Sequence, residues 1–290
     1  MKISNHTDRL EQRFGAVNAV RMLAEAGFEA IDYSMYTPDG AIFAGGGRVL
    51  SRELKRVADG LGVTFNQAHA PFSKYKIGAE YEADNRKIFD SVRRALEVGA
   101  ELGAEAVVVH PAFICPHLSP DERFEMNMNI YSRLLVFARE FDVKIAIENM
   151  YGRHKDKNSK LVRNVCSDAE EFIRYVDATG SPYVTACLDV GHAGLVGESA
   201  EGMIRAMGER ITCIHLHDND FYEDIHTLPF LGEINFPSVM RALKKINYSG
   251  DITLEADGFI KTLPDELVPA ALSLMAKTAS HLRSLMDVRF

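Results

Sequence analysis

The chain has 290 residues, of which 47% are hydrophobic, and a formal net charge of -8 with a pI near 5.7. This length and apolar content suit one α/β barrel of roughly 250 residues with additions better than two small domains. The acidic balance argues against a basic nucleic-acid-binding face, so we expect a small neutral or metal-chelating substrate and no nucleic acid. No apolar run approaches the roughly 20 residues that span a bilayer, so we expect no membrane association.

Short apolar runs rich in β-branched residues alternate with longer runs of helical spacing along the chain. The predicted strands lie at 2–6, 28–33, 63–69, 106–110, 143–149, 183–189, 211–217 and 251–256. The predicted helices lie at about 17–26, 49–60, 80–102, 120–141, after Asp168, at about 199–208, from about Phe236, and at about 265–286. Eight successive β/α units in one domain spanning 1–290 predict a (β/α)8 TIM barrel.

A doubly wound open sheet would also show alternating strands and helices. Two features favour the barrel over that alternative. No Gly-x-Gly-x-x-Gly follows the first predicted strand, and metal-capable side chains end six of the eight strands instead of clustering at one switch point. These strand-end residues are His69, His110, Glu148, Asp189, His215 and Glu255.

The last four of these residues come from four successive predicted strands. Buried strand ends are costly places for ionised groups unless each is paired, and a barrel that places several there normally neutralises them with a cation. Three carboxylates and one imidazole make an oxygen-rich site for one divalent ion, of which we favour Mn²⁺ over Mg²⁺, Co²⁺ or Zn²⁺. The predicted metal ligands are Glu148, Asp189, His215 and Glu255.

The phrases IAIENM, CLDVGHAGL, IHLHD and LGEINFPSVMRALKKINYSGDITLE, in that order, resemble the xylose isomerase-like barrel superfamily. That superfamily includes sugar-phosphate isomerases and epimerases, ketose 3-epimerases, inosose dehydratases and zinc-dependent apurinic endonucleases. The resemblance runs through most of the chain and is tightest from 143 to 257. It implies one divalent ion on the same four ligands, with Glu148 and Glu255 facing opposite sides of a substrate carbon and His192 reaching the substrate.

Proton transfer between carbons requires acidifying a C–H next to a carbonyl, and a cation on the substrate oxygens stabilises the resulting enediolate. A carboxylate on each side can take the proton from one face and return it to the other, or to the adjacent carbon. We therefore expect Glu148 and Glu255 to be the catalytic groups of a sugar isomerase or epimerase. Elimination from a keto-sugar or keto-inositol would reuse the same metal and base and stays open.

A rival hypothesis comes from the same superfamily. Apurinic endonucleases hold three zinc ions with further ligands that have counterparts here in His69, His110, His192 and the Asp224–His226 pair. The run IHLHDND, the phrase ENMYGRH and the acidic charge depart from the endonuclease pattern. Sugar isomerase relatives keep many of the same histidines.

We therefore assign the remaining histidines near the strand ends to the substrate site. The predicted substrate-binding residues are His69, His110, His192, His217 and His226. The ring of His217 could instead only hydrogen-bond a neighbouring loop. Arg153, His154, Lys155 and Lys157 follow the fifth strand, where they could bind a sugar phosphate, although such a charged loop is more often merely solvated.

The cysteines are far apart in the sequence and form no Cys-x-x-Cys pair. They are Cys115, Cys166, Cys187 and Cys213. Two of them lie inside apolar strand runs, where they resemble small buried hydrophobic residues. We therefore expect a cytoplasmic protein, and paired barrels among relatives make a homo-oligomer a further expectation.

Overall fold

The computed structural model describes residues 1–38, 40–44, 47–72, 74–112, 118–153 and 161–287. Its parallel strands are β1 (Ile3–His6), β2 (Ala30–Ser34), β3 (Thr64–His69), β4 (Ala106–Val109), β5 (Lys144–Glu148), β8 (Val184–Asp189), β9 (Ile211–His215) and β10 (Ile252–Leu254). A separate antiparallel hairpin consists of β6 (Tyr151–Arg153) and β7 (Leu161–Arg163). The eight predicted strands are confirmed to within a few residues.

The parallel strands form one sheet in the order β10, β1, β2, β3, β4, β5, β8, β9. Leu216 closes the sheet into a barrel by bridging to β10. Its N–H donates to the carbonyl of Thr253 at 2.9 Å, and its carbonyl accepts from the N–H of Glu255 at 3.1 Å. The predicted TIM barrel is therefore confirmed, and all eight strands point their carboxyl ends toward the same mouth.

Helices surround the barrel. They are α1 (Asp8–Phe14), α2 (Ala16–Ala26), α3 (Gly47–Leu61), α4 (Glu82–Leu102), α5 (Pro120–Phe141), α6 (Ala169–Ala178), α7 (Val190–Leu195), α8 (Ala200–Met207), α9 (Phe236–Lys245) and α10 (Val268–Asp287). The sequence pattern missed α1 and α7, which have seven and six residues and each precede a longer helix. Gly15 separates α1 from α2 with φ of 82°, a left-handed conformation that glycine adopts without strain.

Small apolar side chains from four neighbouring strands form a separate buried cluster in the barrel. Ala106, Val108, Ala146, Cys187 and Cys213 form this inner cluster, in which every member is buried. Small inner residues let the strands close tightly, and the larger apolar side chains fill the layer between strands and helices.

Two of the sequence expectations concern cysteines and membranes. Cys166, Cys187 and Cys213 are free and buried, and Cys115 lies outside the described residues. Among the helices in the described part of the chain, none has an apolar stretch sufficient to span a bilayer.

Candidate functional site

The carboxyl ends of β5, β8, β9 and β10 bring the four predicted metal ligands together. One donor atom from each of Glu148, Asp189, His215 and Glu255 lies within 4.8 Å of the others, and we call these residues the central cluster. Asp189 and His215 are register partners on neighbouring strands. His215 Nδ1 lies 3.0 Å from Glu148 Oε1 and 3.2 Å from Glu255 Oε2. All four residues are at most 6% exposed.

The central cluster has the composition of a cation site. Within the cluster itself three buried carboxylates share one imidazole, and a cation among them would offset their mutual repulsion. Hard carboxylate oxygens with one imidazole nitrogen suit Mn²⁺, Mg²⁺, Co²⁺ or Zn²⁺. The residues present therefore fit a divalent ion.

Asp189 is fixed by the residue that follows β5. The side-chain oxygen of Asn149 accepts from the Asp189 N–H at 2.8 Å, and its side-chain nitrogen donates to the Asp189 carbonyl at 2.9 Å. Asp189 also caps α7, where its Oδ1 accepts from the His192 N–H at 2.7 Å. This last bond explains why an Asp-x-x-His spacing places a second histidine beside the cluster.

His215 is oriented by a carboxylate that the sequence reasoning missed. Its Nε2 lies 3.3 Å from Oδ2 of Asp32, a fully buried residue of β2. The amide nitrogen of Gln67 donates to the same Asp32 oxygen at 2.9 Å. A carboxylate behind a metal-binding imidazole fixes the ring and its tautomer. The only sequence signal for this role is an aspartate within the apolar run FEAIDYS.

Both glutamates of the central cluster are held in their ionised form. Burial alone would raise the pKa of Glu148, but His110 and His215 hold it well below its usual range. Burial likewise opposes ionisation of Glu255, whose pKa is nonetheless lowered by His215 and then His226. The hydroxyl of Tyr36 donates to Glu255 Oε1 at 2.6 Å. An ionised carboxylate can both bind a cation and accept a proton.

His69 and His110, which we call the histidine pair, lie against the second oxygen of Glu148. His110 Nε2 is 2.8 Å and His69 Nε2 is 3.3 Å from Glu148 Oε2. The two Nε2 atoms are 3.1 Å apart. Ligand atoms of the pair and of Glu148 form a second group within 4.8 Å, so these histidines adjoin the central cluster at the barrel mouth.

His192, His217, Asp224 and His226 form a third group within 4.8 Å, which we call the outer cluster. His226 Nε2 lies 3.0 Å from Asp224 Oδ2, and His217 Nε2 lies 3.1 Å from both oxygens of Asp189. Burial lowers the pKa of His192, but Asp189 and Asp224 raise it to about 10. The outer cluster thus links directly to the central one through Asp189.

The loop that carries Asp224 and His226 is organised by Asp218, whose role the sequence did not indicate. This buried carboxylate accepts four backbone N–H groups, those of Asn219, Phe230, Gly232 and Ile234, at 2.9–3.0 Å. These four bonds help to set the shape of the loop and hence the position of the outer cluster.

A cavity of about 740 Å³ opens above these groups. Glu148, Glu255, His110, His192 and His226 line it, together with the apolar side chains of Phe72, Met150 and Val162. Lys74, Arg123, Arg153 and Arg163 also line it, and we call these four residues the basic wall. Of the charged loop predicted after the fifth strand, Arg153 therefore faces the site, whereas His154, Lys155 and Lys157 lie outside the described residues.

The catalytic, metal-binding and substrate-binding residues predicted from the sequence all lie at the barrel mouth, each in one of the three groups. The proximity of these side chains is a structural observation, whereas their individual roles in binding and catalysis remain predictions. What sequence spacing did not supply is the set of supporting residues, namely Asp32, Asn149 and Asp218.

Comparison with known proteins adds to this geometry. The family model of the xylose isomerase-like TIM barrel matches residues 20–278. An uncharacterized protein of Methanocaldococcus jannaschii is 32% identical over 192 residues, which cover 64% of this chain and 62% of the relative. D-psicose 3-epimerase of Enterocloster bolteae is 28% identical over 118 residues, covering 41% of this chain and 35% of that enzyme. Both matches span less than two thirds of the relative's own length.

A solved structure resembles the chain over almost its whole length. The crystal structure of a D-tagatose 3-epimerase-like protein superposes with a TM-score of 0.73 at 24% identity, covering 96% of this chain and 99% of that one. At this level of identity the likeness concerns the fold.

Proposed function

This chain belongs to the xylose isomerase-like TIM barrel family, and from that premise we propose that it is a divalent-metal-dependent sugar isomerase or epimerase. The observation that carries the proposal is the pair Glu148 and Glu255, two buried carboxylates that line one cavity and both lie beside His215. Relatives named as sugar epimerases support the same class of substrate.

A divalent ion on the central cluster would supply Lewis-acid stabilisation of the enediolate that forms when a carbon beside a ketone loses its proton. The protein's own residues perform the proton transfers. One glutamate removes the proton from one face of the sugar carbon, and the other returns a proton from the opposite face or to the neighbouring carbon. Tyr36 holds one oxygen of Glu255 through its hydroxyl, which leaves the other oxygen directed toward the cluster.

Phe72, Met150 and Val162 give the cavity an apolar surface beside these carboxylates. An apolar lining displaces water from the reacting carbon, which strengthens the electrostatic interactions there and protects the enediolate from stray protonation. His110 and His192 lie on the same surface and can donate hydrogen bonds to sugar hydroxyls.

The test is exchange of solvent deuterium into a panel of ketoses, with the protein loaded with Mn²⁺. Glu148→Gln and Glu255→Gln should each abolish exchange while leaving the fold intact by circular dichroism. Glu140→Gln, at an exposed position on α5, is the matched control and should exchange at the wild-type rate. Unchanged exchange in either of the first two variants would remove that glutamate from the mechanism.

A second candidate function is a trinuclear-zinc phosphodiesterase of the apurinic endonuclease type. It is favoured by the histidine pair and the outer cluster, which add two metal-capable groups beside the central one. The formal net charge of -8 opposes it, because gripping a nucleic acid requires positive surface charge. Metal analysis finding close to three zinc ions per chain, together with cleavage of abasic duplex DNA, would select this alternative. A dehydratase would instead release water from a keto-inositol, and the starting compound recovered from the reaction would contain no solvent deuterium.

A further inference from the structure

The basic wall contrasts with the acidic character of the whole chain. Its residues come from separate segments: Lys74 follows β3, Arg123 lies near the start of α5, and Arg153 and Arg163 belong to the β6–β7 hairpin. All four line the cavity that also contains Glu148 and Glu255. Four cations from three segments therefore face the space that the substrate would occupy.

Two of these cations are already neutralised or bonded within the protein. Arg163 forms ion pairs with Glu198 and Asp168. Arg153 donates to the carbonyl of Tyr222 at 3.2 Å and lies over the ring of Tyr151. These contacts hold the two arginines in place at the cavity rim.

Arg123 and Lys74 differ from them. In the part of the chain that the structure describes, neither side chain has a carboxylate within the 4.0 Å of an ion pair. The Nε of Arg123 is buried and has no hydrogen-bond partner there. A buried donor without an acceptor costs free energy, and a guanidinium whose donors form a planar fork is suited to bind two oxygens of one anion.

The cavity is also large for a single sugar ring. Its volume of about 740 Å³ falls within the range of sites that hold drug-sized ligands. A substituent on the sugar would therefore have room to extend from the central cluster to Arg123 and Lys74.

We propose that the substrate carries an anionic group, a phosphate monoester or a carboxylate, which is bound by Arg123 and Lys74. This inference rests on the proposed function in that it takes the body of the substrate to be a sugar held at the central cluster. The anion supplies an acceptor for the Nε of Arg123 and a counter-charge that both cations share. Arg153 adds a further positive charge at the rim, which favours entry of an anion.

Inorganic phosphate is the first probe, because its binding needs no turnover. We expect isothermal titration calorimetry to detect phosphate binding to the metal-loaded protein and an affinity about tenfold or more lower in Arg123→Gln. Lys74→Gln should also lower the affinity for phosphate. Because Lys74 is exposed, this variant should fold and can replace Arg123→Gln in the test if the arginine variant does not fold. Arg52→Gln and Lys87→Gln, at exposed positions away from the cavity, are the matched controls and should bind phosphate as the wild type does. Equal affinities in the wild type and both cavity variants would overturn the proposal.

The second probe identifies the anion through deuterium exchange with ketopentoses and ketohexoses in their neutral, phosphorylated and carboxylate forms. The kcat/KM of one anionic form should exceed that of the neutral ketose by about tenfold. The form with the higher value, phosphorylated or carboxylate, identifies the anionic group of the substrate. Neutral ketoses exchanging as fast as both anionic forms would contradict the inference.

The two probes separate this inference from the proposed function. Phosphate binding that depends on Arg123, without exchange in any sugar, would support the anion site and refute the isomerase or epimerase. Exchange in neutral ketoses without phosphate binding would support the isomerase or epimerase and refute the anion site.

Discussion

Replacing Gly191 by alanine tests how tightly the site is packed. Gly191 lies on α7, and a methyl group there would come within 2.5 Å of Nε2 and 2.8 Å of Nδ1 of His217, and closer still to Cε1. His217 is fully buried, bonded to both oxygens of Asp189, and stacked on His226 with ring centroids 3.9 Å apart. The ring therefore has to shift, and with it the contact to Asp189.

Two effects of opposite sign decide the outcome. Glycine to alanine inside a helix stabilises it by about 1 kcal/mol, which would favour the variant. Overpacking costs about 1–3 kcal/mol, and a lost hydrogen bond to a charged group costs about 1.5–3 kcal/mol. We therefore expect Gly191→Ala to lower the free energy of unfolding by about 1.5–5 kcal/mol, because the steric and hydrogen-bond costs exceed the gain in helix propensity.

Urea denaturation of the wild type and the variant under the same metal conditions measures this difference. The matched control is Gly202→Ala on α8, where the nearest atom to the added methyl group is Ser199 Cβ at 3.4 Å. That variant should be neutral or slightly more stable than the wild type. If Gly191→Ala proved as stable as Gly202→Ala, the described packing of His217 against α7 would be wrong.

Two further changes probe supporting residues of the site, and a third probes Glu11, a largely buried glutamate of α1. Asp32→Asn weakens the orientation of His215 and should lower the affinity for the divalent ion by about 10–100-fold in a chelator competition assay, with unchanged affinity contradicting that role. Asp218→Ala leaves four backbone N–H groups without their acceptor and should reduce the free energy of unfolding by more than about 3 kcal/mol; a loss below about 1 kcal/mol in urea denaturation would argue against this account. Burial raises the pKa of Glu11 to about 7, above the unfolded value of 4.5. The folded state therefore favours the protonated carboxyl group, and the free energy of unfolding falls as the pH rises between those two values. Glu11→Gln should therefore be more stable than the wild type by roughly 2 kcal/mol at pH 8 and show little difference near pH 4, whereas a difference independent of pH would refute the assignment.

The eight strands and most of the helices were predictable because their signals are local. Runs such as AVVVH and KIAIE are short, apolar and β-branched, and Gly or Pro residues end or begin the helices between them. Local signals failed for α1, α7 and the β6–β7 hairpin. The two helices have at most seven residues, and each strand of the hairpin has three. Such short elements contain too few residues for a hydrophobic period to be recognised.

The convergence of the central cluster was also predictable. Each ligand lies at the carboxyl end of a strand, and parallel strands in a closed barrel end at one mouth. Once the barrel is inferred, His69 and His110, at the ends of β3 and β4, must lie near Glu148 for the same reason.

The sequence by itself determined the order of strands and helices and the side chains that end each strand, because those follow from spacing along one element. Only the tertiary structure decided which side chains support the ligands and which cations share their cavity. Tyr36 meets Glu255 across 219 positions of sequence, and Asp32 meets His215 across a similar span. Such pairs depend on barrel closure and on side-chain direction across strands, and no periodicity within a single segment encodes them.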